Sequence, residues 1–167
     1  MTETEDFIIT RTVDAPRALV WKMWSDPVHL SHWWGPKGLS LRVGKLEFKP
    51  GGMFHYAMGS PDGKEMWGRF IYGDIVAPEK IVFINSFADA EGNVIRAPFS
   101  PVWPLEVHNT LTLEERDGKT VITLRGYPLN ASEIELQTFK AMHPSMRMGF
   151  GGTFDKLDVY IATQKGT

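Results

Sequence analysis

The sequence predicts an α+β fold in which a mainly antiparallel sheet closes around a long C-terminal helix. Two observations carry that expectation. First, β-prone runs between Leu39 and Tyr127 follow one another through hairpin turns, without the strand–helix–strand alternation of a parallel sheet. Second, Met146, Phe150, Phe154, Leu157 and Ile161 recur at steps of four, four, three and four, forming one apolar helical stripe over Pro144–Thr163. That helix contains Gly149, Gly151 and Gly152, each costing about 1 kcal/mol relative to Ala in a helix interior. Its packing must therefore come from the rest of the chain. If the glycines face the sheet, they mark close packing or cavity space.

The elements follow in order. Phe7 to Val13 reads as a strand ending at Asp14-Ala15-Pro16, with Asp14 as helix N-cap and Pro16 in the first turn. Two short helices come next, one carrying Leu19, Val20, Met23 and Trp24, the other Leu30, Trp33 and Trp34. Gly35-Pro36 stops the second. Leu39–Phe48, Met53–Met58, Glu65–Val76 and Ile81–Phe87 are strands separated by Pro- and Gly-rich turns. Val107–Glu114 and Thr120–Tyr127 form the clearest hairpin, with Leu111, Leu113, Ile122 and Leu124 on one face and Thr110, Thr112, Thr123 and Arg125 on the other. Ala97 to Pro104 holds three prolines and reads as a stiff surface loop. Asn130 with Glu133 three residues on suggests the cap of a short helix reaching about Met142.

Composition narrows the function classes. The 167 residues are most simply one domain spanning 1–167, with 43% hydrophobic and 23% charged residues, as in a soluble globular protein. A formal net charge of -2 gives no reason to expect nucleic acid or an anionic membrane as partner. The chain has no cysteine, hence no disulfide, thiol nucleophile or thiolate metal site. Its acidic start lacks a signal-peptide core, and no run approaches the roughly 18 apolar residues that cross a bilayer. A cytoplasmic location is expected, so the Asn130-Ala131-Ser132 sequon is read as structural.

Motifs spread along the chain resemble one family. Val13-Asp14-Ala15-Pro16 with Val20-Trp21 looks like the opening of the START-like (SRPBCC) superfamily. His32-Trp33-Trp34-Gly35-Pro36, Pro50-Gly51-Gly52 and Asp62-Gly63 are similar to motifs of its heat-shock protein 90 ATPase activator homologues. Ala77-Pro78-Glu79-Lys80-Ile81-Val82-Phe83 matches a turn-and-strand motif there, with Ala where a first Pro is common. Ser145-Met146, Gly149-Phe150 and Leu157 fit the ending, with Phe where that family often has Trp. The resemblance implies a helix-grip fold, a curved sheet wrapped around the last helix with an apolar cavity between them. It also brings in lipid and hormone carriers, cyclases and chaperone partners. The named chaperone activators carry an additional N-terminal domain for which this chain has no room, so chaperone activation is not expected to transfer.

Chemistry-bearing constellations are sparse. His29 and His32 lie three apart on a helix, but no third ligand is near, so no metal is expected. His55, between Phe54 and Tyr56, falls on the opposite strand parity and reads as outward-facing. There is no nucleophile elbow, no HExxH and no strand-preceded phosphate loop, so neither a catalytic residue nor a cofactor is assigned. What remains is an aromatic surplus of six Trp and ten Phe. Phe54, Tyr56 and Met58 share a strand face, as do Trp67 with Arg69 and Phe83 with Asn85. With Phe150 and Phe154 they are the candidate cavity lining, and Trp33, Trp34 and Trp103 the candidate mouth. The expected activity is binding of a hydrophobic small molecule. A cyclase or hydrolase acting in the cavity, or an interaction domain using an exposed Trp33–Trp34 patch for a chaperone or a homodimer, are the rival readings.

Overall fold

The computed structural model describes residues 6–35 and 38–164; Pro36 of the tryptophan-rich motif and the acidic first residues lie outside them. The chain runs β1 (Phe7–Val13), α1 (Arg17–Ser25), α2 (Pro27–Trp33), then β2 (Ser40–Leu46), β3 (Met53–Gly59), β4 (Glu65–Val76) and β5 (Lys80–Ala88). It continues through β6 (Val107–Arg116), β7 (Lys119–Pro128), α3 (Glu133–Ala141) and α4 (His143–Gln164). The strands form one antiparallel sheet in the order β1-β7-β6-β5-β4-β3-β2, so the first strand closes onto the last. Register shifts at Val43/Lys45 and Tyr72/Ile75 bend the sheet. The α+β class and the helix-grip arrangement both hold.

α4 lies against the inner face. Phe154, Leu157 and Ile161 are buried on its stripe, and Phe150 stacks on Phe7 of β1 at 5.6 Å. Arg11 of β1 pairs with Asp155 and, at 3.1 Å, with Asp158, which fixes the helix along the β1 edge. α1 and α2 cover one end of the core. There Trp24 packs edge-on against Trp33 at 4.8 Å, and the Trp33 indole donates to the Met23 carbonyl. The β6–β7 hairpin keeps the expected faces: Leu111 opposes Leu124, Leu113 opposes Ile122, and all four are buried.

Two expected caps differ. Asn130 has a left-handed backbone (φ 48°), whereas an N-cap residue needs an extended one. Ser132 takes the role instead: its hydroxyl accepts from Glu135 N while the Glu135 carboxylate accepts from Ser132 N, a complete capping box. At α1 the N-cap position falls on Pro16 with no side-chain cap, one residue before the helix it was expected to begin. At α2 the Asp26 side chain accepts from Val28 N, as a cap should.

Candidate ligand-binding site

Between the sheet and α4 lies a partly open cavity of about 270 Å³. Register decides its sheet wall. Directly opposed residues of antiparallel strands share a face, and Tyr56 of β3 opposes Gly68 of β4, which in turn opposes Phe87 of β5. One rung along, Phe54, Phe70 and Asn85 oppose one another. The Tyr56 ring lies over Gly68, where a Cβ would come within 2.6 Å of it. Tyr56, Met58, Asn85 and Phe87 thus form one wall, and Met146, Gly149, Phe150 and Thr153 of α4 the other. Trp34 and Gly35, just after α2, close the end. A second cavity of about 250 Å³ adjoins it, sharing Asn85, Phe87, Met146 and Phe150 and reaching Trp103 and Asn109.

The first cavity is apolar with one polar corner. Asn85 Nδ2 donates to Tyr56 Oη at 3.3 Å and to the Arg69 carbonyl at 3.1 Å, and the Trp34 ring meets the Tyr56 ring edge-on at 6.5 Å. Burial raises the Tyr56 pKa, outweighing the lowering influence of Trp34 and Asn85, so the phenol is neutral at neutral pH. Thr153 Oγ lies 3.0 Å from the Gly35 carbonyl and 3.1 Å from that of Gly149, so its proton is held inside the structure. Among the described residues, no charged side chain lines this cavity.

Several residues expected in the cavity wall lie elsewhere. Trp67 and Arg69 are on the outer sheet face, because inward parity on β4 belongs to Gly68 and Phe70. Trp67 stacks on His55 at 4.5 Å under the Arg42 guanidinium, and Arg69 donates to the Gly92 carbonyl. His55 is on that outer face as expected, yet it is buried, because the 89–93 turn covers it and Asp89 O lies 2.9 Å from its Nε2. Phe54, Phe83 and Phe154 belong to the closed core: Phe83 stacks on Phe70 at 4.1 Å, Phe54 meets Phe70 edge-on, and Phe154 packs towards Trp24. Trp33 is fully buried and lines no mouth; Trp34 is a wall residue, and Trp103 borders the second cavity. His29 and His32 both engage Tyr160, the first by a 2.6 Å hydrogen bond and the second by stacking. No group of three potential metal ligands occurs among the described residues.

Sequence reading passed over Gly68, Phe87, Met146 and Thr153. A glycine inside a strand signals close approach of another group, and Phe87 continues the Phe83–Asn85 parity; both signals were present.

Comparison with known proteins bears on the family and the fold. A protein-family model described as Activator of Hsp90 ATPase homolog 1-like protein matches residues 14–162. No curated protein matches the chain. Among solved structures, protein Ms6760 from Mycobacterium smegmatis is similar at 28% identity and a TM-score of 0.77, covering 98% of this chain and 93% of that one. A protein from Arthrobacter aurescens is 28% identical with a TM-score of 0.79, covering 98% and 90%. The AHSA1 protein from Silicibacter pomeroyi shares the fold at 20% identity and a TM-score of 0.68, with 96% and 99% covered. The chain belongs to the family of Activator of Hsp90 ATPase homolog 1-like proteins.

Proposed function

We propose that this chain is a binding protein for a small apolar or aromatic molecule held between β3–β5 and α4. The observation that carries it is the composition of the cavity: bulky apolar walls with a single polar corner, the pattern of a small-molecule pocket. Gly149 adds to this. It lines the cavity from within a helix, and a Cβ there would meet nothing within 4 Å, so the helix keeps a poor helix former where a larger side chain would take up ligand space. The rival readings have less support. Among the described residues, Tyr56 is the one ionisable group in the wall, and its raised pKa makes it a poor general base at neutral pH, which weighs against a hydrolase or cyclase. A docking patch for a chaperone or a second copy at Trp33–Trp34 lacks the exposed aromatics it needs, since both are buried.

A thermal-shift panel of uncharged aromatic compounds tests the proposal on the wild-type chain and on Gly149→Leu. Several compounds should raise the wild-type melting temperature, and Gly149→Leu should lose that response while staying folded. A panel with no active compound, or an equal response in both proteins, would sink it.

A further inference from the structure

The polar corner of the cavity holds a donor and an acceptor side by side, and neighbouring groups fix which is which. A carbonyl oxygen only accepts, so the 3.1 Å contact from the Arg69 carbonyl identifies the Asn85 nitrogen and leaves Asn85 Oδ1 as an acceptor. At Tyr56 the logic reverses. The Asn85 amide nitrogen only donates, so Oη accepts from it and has its own proton left to give. Tyr56 and Asn85 both line the cavity, beside Trp34, Met58 and Phe150.

Three classes of ligand meet this corner badly. A carboxylate or an ammonium group would leave water for a wall with no charged side chain among the described residues. A plain hydrocarbon would leave the Tyr56 proton and the Asn85 oxygen without partners in apolar surroundings. A carbonyl answers only Tyr56. A hydroxyl answers both, accepting from one and donating to the other. The volume of about 270 Å³ sits near the lower end for small-molecule pockets and suits roughly one or two fused rings.

We infer that the ligand is a small, uncharged aromatic alcohol whose hydroxyl accepts a hydrogen bond from Tyr56 Oη and donates one to Asn85 Oδ1. This rests on the ligand-binding reading above and adds the ligand's chemical class.

Titrations followed by protein-detected NMR at neutral pH, with naphthol, methoxynaphthalene, naphthalene and naphthoate as probes, test it. On the wild-type chain, naphthol should bind about tenfold or more tightly than methoxynaphthalene or naphthalene, with naphthoate weakest. In Tyr56→Phe the advantage of naphthol over naphthalene should shrink severalfold, because one of the two hydrogen bonds to the ligand hydroxyl is lost. Equal wild-type affinities for naphthol and naphthalene would overturn this inference and leave the ligand-binding reading standing. So would a preference for naphthol that survives undiminished in Tyr56→Phe. Binding by none of the four would overturn both. The wild-type series decides the question alone if Tyr56→Phe does not fold.

Discussion

Two glycines of the candidate site should respond to alanine in opposite directions. Gly149 is helical and exposed on one side, with open space where a Cβ would begin. Gly149→Ala removes a backbone entropy cost and should stabilise the protein by about 0.5–1 kcal/mol. Gly68 is in mid-strand, and its new Cβ would sit 2.6 Å from the Tyr56 ring. That ring is buried and its hydroxyl accepts from Asn85, so it has little room to yield. Gly68→Ala should cost about 1–3 kcal/mol, as overpacking does. Denaturant unfolding of both variants checks the pair, and the same sign for both would contradict the geometry. The Gly68–Tyr56 contact also shows where sequence reading stops. Met66, Phe70 and Tyr72 make one parity of β4 apolar, Trp67 and Ile71 the other, and composition alone does not rank them. The pairing of Gly68 with Tyr56 does, and pairing is a property of two strands at once.

Among the elements, α3 depends most visibly on its first turn. Ser132 and Glu135 satisfy each other's backbone N–H groups, and the Glu135 carboxylate also pairs with Arg96 of the loop after β5. Ser132→Ala should cost about 1 kcal/mol, read as a lowered unfolding midpoint. Phe139, buried on the same helix, packs against Trp103 at 5.5 Å, so fraying of α3 would also loosen the rim of the second cavity. The helices and strands were legible from spacing because each has one clearly apolar side: Leu111 and Leu113 on β6, Leu157 and Ile161 on α4. The α3 cap was not, since Asn130/Glu133 and Ser132/Glu135 offer the same three-residue spacing. Only the backbone at Asn130 separates them.

For the whole molecule, titration bounds stability from both sides. The Glu135 carboxyl is held below its ordinary value of 4.5, first by its hydrogen bond from Ser132 N and then by Arg96. Its contribution is complete above that ordinary value and is lost as pH falls through the lowered one. Asp89 is lowered in the same direction by Asn93 N and belongs to the same acid limb. At the other limb, burial raises Tyr56 and Tyr72 above their ordinary value of 10.0. Their contribution is complete below pH 10.0 and is lost as pH rises through the raised values. Melting temperature against pH should therefore form a plateau between these limits. On the alkaline side, Tyr56→Phe should delay the fall; an unchanged alkaline limb would mean that its ionisation is not linked to unfolding.

The closure of β1 onto β7 has a consequence for how the molecule is made. Asp6 and Arg125, 119 residues apart, are joined by a 2.6 Å ion pair beside the Phe7–Gly126 rung. At synthesis rates of about 5–20 residues per second, β1 leaves the ribosome many seconds before its partner exists. Until then its apolar side, with Phe7, Ile9 and Val13, has neither β7 nor α4 to cover it. Folding of this chain thus includes a late, long-range pairing, slow by topology, and the apolar side of its first strand stays uncovered until that pairing forms.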